Sequence, residues 1–331
     1  MSAAPLLQRV FASLADGAVH SGESLAATHG VTRSAVWKAI EALRDLGLDI
    51  EAATHRGYRI APPTEALDPG RIRGATSAFR HLAVEWTLPS TNTALLERPP
   101  PPPGVVDALL VEQQTAGRGR RGRNWLAPVG GCLCLSLSTQ FEAPPPGMGA
   151  LPLCVGMACI AALTALGAQD LGLKWPNDLV RREDGAKLAG ILIELRAEAG
   201  GPSHVVVGIG INTRLPTSVR SELQRSGVLA TDLAQLGVDA GARNRIAAGV
   251  LDAVARNVLQ FATAGFAPFA PRWAAVDTLR DRPVVISGSP TALAEGIARG
   301  IDPEGCLQID DAAGRRHKLL SGEVSIRRAA A

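Results

Sequence analysis

Between Cys132 and Ile211 the chain strings apolar runs on very short connections, and this spacing limits the fold more than any other feature. Cys132–Ser138, Leu171–Lys174, Leu188–Leu195 and His204–Ile211 read as strands and 149–168 as one long helix, with turns expected at Asp184-Gly185 and Gly200-Gly201-Pro202. A parallel crossover needs about a dozen connecting residues, so strands joined this tightly must pair as hairpins. The fold class expected is α+β with a largely antiparallel central sheet. Beyond about Ala274, the runs Arg282–Ile286, Glu295–Arg299 and Cys306–Ile309 predict a small β-barrel.

A chain of 331 residues accommodates two or three domains with proper cores. Ala143 to Gln169 carries no charge, and Leu151 to Leu166 is apolar enough to raise a membrane span. Its opening prolines and its Ala, Gly and Cys content favour a helix packed tightly against a sheet instead, so no membrane partner is expected. A net charge of +3 permits a nucleic-acid partner without requiring one. Five cysteines with no C-x-x-C suit a reducing cytoplasm. The N-terminus lacks a basic region followed by an apolar core, so no signal peptide is read and a cytoplasmic location is expected. Cys132 and Cys134 read as inward strand positions without a chemical role.

Residues 1–66 have the pattern of a winged helix-turn-helix. A first helix carries Leu6, Leu7, Val10, Phe11 and Leu14 and stops at Gly17; a second runs from near Ser21 to Gly30. Thr32 caps a third, whose apolar stripe of Val36, Ile40 and Leu43 leaves Arg33, Ser34, Trp37 and Lys38 outward, where a recognition helix meets DNA. Leu48 to Ile60 alternates around Arg56-Gly57, a hairpin suited to a wing with Arg56 as a DNA contact. The segment holds six Lys or Arg against seven Asp or Glu, so it is not basic, and a plain protein-interaction module fits the same pattern. Ala61-Pro62-Pro63 reads as a linker.

Residues 117–125, Gly-Arg-Gly-Arg-Arg-Gly-Arg-Asn-Trp, combine permanent charge with glycines that bring backbone N–H groups close to an anion. Gly117, Gly119 and Gly122 formally satisfy the dinucleotide fingerprint, but no helix follows them, which argues against a nicotinamide cofactor. A solvated basic loop is the plainer alternative.

Further motifs stand in register with this loop: Ser90-Thr91-Asn92, Lys174-Trp175-Pro176-Asn177-Asp178, Lys187 to Glu194, and Gly208-Ile209-Gly210-Ile211-Asn212. Together they resemble the biotin protein ligases, and more narrowly the branch that doubles as repressor of biotin synthesis. The resemblance spans nearly the whole chain, because Arg44-Asp45-Leu46-Gly47, the Arg56 hairpin and a C-terminal Gly322-Glu323-Val324-Ser325 match as well. It implies three domains: 1–66 for DNA, 67–273 for catalysis with a class II synthetase-like sheet, and 274–331 as an SH3-like barrel. The five prolines at 99–103 then form a stiff loop inside the central domain.

The implied chemistry activates biotin with ATP to biotinyl-5′-adenylate, then passes it to a lysine of a carboxyl-carrier protein, with Mg²⁺ assisting. Lys187, Arg118 and Asp178 are the implied catalytic residues, and Asp178 the candidate for Mg²⁺ or for orienting phosphates. Ser90, Thr91, Asn92, Gln114, Arg118, Gly119, Arg120 and Lys187 would hold biotin. In Glu112-Gln113-Gln114 the register counted back from Gly117 favours Gln114. Arg120, Arg121, Arg123, Trp125, Lys174, Asn177 and Asn212 would hold ATP, with Gly208 and Gly210 allowing close approach. The implied partners are the biotin carboxyl carrier protein of acetyl-CoA carboxylase, biotin-operon DNA and, in the adenylate-bound state, a second copy of the chain. Two alternatives stay open: lipoate or octanoate ligation on the same fold, and a biotin-sensing transcription factor without catalysis.

Overall fold

A computed structural model describes residues 5–53, 56–74, 79–197, 201–287, 295–320 and 325–328. The first unit contains α1 (Leu6–Leu14), α2 (Gly22–His29), α3 (Arg33–Asp45) and an antiparallel hairpin of β1 (Ile50–Ala53) and β2 (Gly57–Ile60). Its helix ends are where the polar residues put them. Ser21 Oγ accepts from the Ser24 N–H at 3.0 Å and Thr32 Oγ1 from the Ala35 N–H at 3.2 Å, while Gly30 closes α2 in the left-handed region. Val10, Phe11, Leu14, Val36, Ile40 and Leu43 fill the core.

This unit is fastened to its neighbour rather than tethered. Phe11 packs on Trp86 with ring centroids 5.7 Å apart, and Val129 joins the same apolar cluster. Past the prolines, Thr64 donates to the Gly130 carbonyl and Glu65 accepts from Asn244.

The central unit begins with α4 (Pro69–Gly74), β3 (Phe79–Leu88), α5 (Thr91–Leu96), β4 (Val106–Gln114) and β5 (Cys132–Phe141). It continues through α6 (Leu151–Ala165), β6 (Leu171–Lys174), β7 (Asp178–Arg181), β8 (Lys187–Ala197) and β9 (Ser203–Asn212) to α7 (Thr217–Arg225), α8 (Arg243–Ala264) and α9 (Ala270–Val276). The seven strands lie in the order β3-β4-β5-β9-β8-β7-β6. All neighbours pair antiparallel except β3 and β4, which run parallel through a crossover containing α5 and the proline run. The charge-free helix α6 is a core helix, buried from Leu151 through Ile160 apart from Pro152 and packed on α8 and the sheet.

One buried ion pair braces the domain. Arg243, fully buried at the start of α8, sets Nη1 2.7 Å from Glu112 Oε2 and also donates to the carbonyls of Glu65 and Cys132, while Glu112 Oε1 accepts from the Leu67 N–H. The expected boundary at 273/274 falls inside α9, where Trp273 is buried and donates to Asp277 just past the helix end. The C-terminal sheet therefore starts later: β10 (Pro283–Ser287), β11 (Glu295–Ile301), β12 (Leu307–Asp310), β13 (Arg316–Leu319) and β14 (Ser325–Arg328) pair antiparallel in the order β13-β12-β11-β10-β14. Among the described residues β13 and β14 are the edges of this small antiparallel sheet. Gly322, Glu323 and Val324 lie outside the described residues.

Candidate active site

The strand register builds the site floor. One row across the sheet runs Cys134, Gly210, Gly190, Asp178, and the next pairs Ser136 with Gly208 and Gly208 with Leu192. Glycine at three of these positions lowers the floor, and a cavity of about 750 Å³ opens above it, a size suited to a small ligand with several functional groups. The glycines make room for side chains rather than directly for a nucleotide. A Cβ at Gly210 would lie 2.4 Å from the Trp125 ring, and one at Gly208 would lie 2.2 Å from Asn92 Oδ1. Trp125 thus lies on the floor, its indole N–H donating to Cys132 Sγ at 3.4 Å and its ring 5.5 Å from Lys187 Nζ. Cys132 and Cys134 support that ring in a small apolar cluster of their own.

At one end of the cavity a polar network is fixed by α5. Ser90 caps that helix by accepting from the Thr93 N–H, so its hydroxyl has a structural task. The Thr91 N–H and hydroxyl both approach Gln114 Oε1, at 2.9 and 3.2 Å, which leaves the Gln114 amide nitrogen as the donor on the cavity side. Gln113 bonds Thr87 on the opposite strand face, so Gln114 is the glutamine brought to the cavity. Asn92, 3% exposed, gives its amide hydrogens to the Leu192 carbonyl and Glu194 Oε2, and its Oδ1 lies 2.6 Å from Ser136 Oγ. Its donors are therefore committed to scaffold, and only its oxygen has capacity left for a ligand.

The arginine loop divides its charges. Arg118 reaches Thr93 Oγ1 and both oxygens of Glu194 through Nη2, at 2.8, 3.0 and 3.1 Å. Arg120 turns inward, its Nη1 3.2 Å from Asn177 Oδ1 and its Nη2 buried without a hydrogen-bond partner among the described residues. Burial lowers the Arg120 pKa, a pull that Asp178 opposes and that Arg121 and Arg123 reinforce. A buried donor of this kind is costly unless an acceptor joins it, and an anion is the acceptor its surroundings favour. Gly119 and Arg123 line the same cavity. Arg121, expected as a phosphate donor, also lines the cavity while giving its Nη1 to the Ser287 carbonyl in β10, and takes a left-handed backbone conformation.

At the mouth of β8, Lys187 Nζ lies 2.7 Å from Asp178 Oδ1. The Lys187 backbone is clamped as well: its N–H donates to Leu229, and its carbonyl accepts from the Thr231 N–H and the Asn212 amide. Asn212 also donates to the Thr231 carbonyl, and Asn177 donates to the Ile191 carbonyl. Both hydrogens of the Asn212 amide are thus engaged by backbone carbonyls, while Asn177 spends one on Ile191, and both residues line the cavity. Lys174 lines the cavity beside them. No group of three His, Cys, Asp or Glu suited to a metal gathers among the described residues. A Mg²⁺ ion fits only if phosphates supply most of its ligands, with Asp178 as the carboxylate at hand.

Sequence reasoning missed Thr93, Ser136 and Glu194. The signal for Glu194 was present, since the two-residue period from Gly190 puts Leu192 and Glu194 on the cavity face. The wall formed by Glu222–Ala230 carried no such signal.

Gly208→Ala should disable this end of the cavity. The added methyl meets Asn92 where Ser136 and Glu194 hold it, so apparent biotin affinity should fall about tenfold or more, from one or two lost hydrogen bonds. Isothermal titration with biotin measures it, and unchanged affinity would separate the Asn92 network from ligand binding.

A sequence profile of the Biotin/lipoate A/B protein ligase family matches residues 85–212, an HTH domain matches 10–59, and the Biotin protein ligase C terminal domain matches 281–327. The chain is 36% identical over 317 residues to the bifunctional ligase/repressor BirA of Salmonella typhimurium, covering 96% of each. It is 37% identical to the biotin--[acetyl-CoA-carboxylase] ligase of Mycobacterium tuberculosis, covering 80% of this chain and 97% of that one. Among solved structures, the biotin protein ligase of Aquifex aeolicus in complex with biotin and ATP superposes with a TM-score of 0.61 at 29% identity, covering 76% of this chain and 100% of the other. Identity of 36% over 96% of the chain, together with matches to all three of its parts, establishes that this protein belongs to the biotin protein ligase family, in the form that carries an N-terminal helix-turn-helix domain.

Proposed function

We propose that this protein ligates biotin to a lysine of the carboxyl-carrier domain of acetyl-CoA carboxylase and, through its helix-turn-helix unit, represses biotin synthesis in the cytoplasm. The observation that carries the ligase reading is the meeting of Lys187, Arg118 and the buried, incompletely partnered Arg120 around one cavity whose other end is neutral and polar. Such a cavity suits a ligand that is uncharged at one end and anionic at the other, as biotinyl-5′-adenylate is.

Biotin's carboxylate oxygen attacks the α-phosphorus of ATP, and pyrophosphate leaves. The acceptor lysine then attacks the acyl carbon, and AMP leaves with the bonding electrons. Gln114 orients the ureido ring, Lys187 and Arg120 face the phosphoryl group as its charge shifts, and Arg118 faces the mixed anhydride. Preorganised cations in a site with little water contribute most of the stabilisation in such a step. Mg²⁺ bound to the triphosphate beside Asp178 would neutralise charge on the leaving pyrophosphate. Biotin-dependent exchange of pyrophosphate into ATP tests the first step, and lipoate or octanoate in place of biotin should support none.

For DNA, Arg33, Ser34, Trp37 and Lys38 are exposed on α3, with Trp37 half open to solvent, and Arg56 is exposed in the wing. One copy with no net positive charge should bind weakly, so two copies on a palindrome are needed, with the adenylate promoting their pairing. Arg33→Ala with Lys38→Ala should weaken operator binding about thirtyfold or more, since each contact contributes about 1–3 kcal/mol. Gel shifts upstream of biotin-synthesis genes should strengthen with biotin plus ATP and weaken with salt. Binding indifferent to ligand and to both substitutions would leave only the ligase.

A further inference from the structure

A carboxylate that does not itself line the cavity holds a cation that does. Glu194 sits on β8 next to the end assigned to biotin, an odd place for a negative charge when both substrates are anions. Its surroundings give the reason. Arg118 hangs on a loop between two glycines with its side chain 46% exposed, and that long group is held by Glu194 at 3.0 and 3.1 Å and by Thr93 Oγ1 at 2.8 Å. All three contacts use one guanidinium nitrogen, Nη2, so Nη1 and Nε keep their donors for an anionic ligand. The same carboxylate accepts from Asn92 at 2.8 Å, and Asn92 is seated against Gly208 and Ser136. Glu194 thereby links the loop's arginine to the buried wall of the cavity and makes the pair neutral toward arriving anions.

We infer that Glu194 is a positioning residue that fixes Arg118 over the mixed anhydride and so sets how long the adenylate is retained. It acts through Arg118 and touches no reacting atom. The inference rests on the ligase reading, and its test reads release separately from chemistry. Glu194→Gln keeps the side chain's size and one acceptor for Asn92 while removing the charge that holds Arg118. Adenylate formed from biotin and Mg·ATP should dissociate at least tenfold faster from this variant in a trap experiment, while its rate of formation at saturating substrate changes less than threefold. Glu194→Asp, too short to reach Arg118, should shift release in the same direction. Adding Glu194→Gln to Arg118→Ala should accelerate release no further, because the first substitution acts through the second residue.

Release at the wild-type rate from both Glu194 variants, or additive effects in the double variant, overturns the inference while leaving the ligase reading intact. So does a slowed transfer to the acceptor lysine with unchanged release, which would make Glu194 a proton acceptor instead. Failure of the wild-type protein to form adenylate overturns both readings together.

Discussion

Lys187→Ala is expected to lower biotinyl-adenylate formation about a hundredfold or more, a loss on the order of 3 kcal/mol of transition-state stabilisation. Two features make the effect large. The backbone of Lys187 is clamped by Leu229, Thr231 and Asn212, so its amine is held by a rigid element and replacement by water cannot reproduce its placement. Its removal also takes from Asp178 its partner at 2.7 Å, which leaves that carboxylate less neutralised beside the incoming phosphates. Pyrophosphate exchange measures the loss, and a melting curve near wild type shows that the fold survives. Exchange within threefold of wild type would remove Lys187 from the mechanism.

Arg243→Ala should produce the largest loss of stability, about 3–5 kcal/mol, because it strands the buried Glu112 carboxylate without its cation. For a domain of this size the melting temperature should fall by roughly 6–20 °C. The damage is local to the pairing: replacing Arg243 by Met and Glu112 by Leu together removes both charges and should recover most of the loss. Thermal unfolding of the three proteins decides it. A single variant as stable as wild type would mean that Glu112 finds another partner.

Neither Arg243 nor Glu112 stands out in the sequence, and the reason is physical. Burial of a charge depends on which distant segments converge on it, here residues 65–67, β4, β5 and α8, and no local pattern encodes that convergence. Periodicity and capping do act locally, which is why α1 to α3, with Ser21, Gly30 and Thr32 at their ends, and the strands β6, β8 and β9 were legible, whereas the four-residue β7 between them was not. The parallel pair β3 and β4 was not, because the short connections downstream say nothing about a crossover upstream of them. In the site, residue types revealed the loop, Lys187 and the polar end, yet not how donors are shared out. Asn177 and Asn212 look like ligand readers in sequence, but they hold backbone carbonyls. Arg121 looks like its neighbouring arginines and lines the cavity with them, yet it also bonds the C-terminal sheet.

The central claim is that this cavity makes biotinyl-adenylate and delivers the acyl group to a protein lysine. Incubation of the full-length protein with biotin, Mg·ATP and a carboxyl-carrier domain, followed by intact-mass and peptide mass spectrometry, tests it most directly. The account predicts a single biotin adduct on one carrier lysine, dependent on ATP and lost with Lys187→Ala. An unmodified carrier domain under conditions where the protein is folded and binds biotin, or an adduct that forms equally well with lipoate, would contradict it.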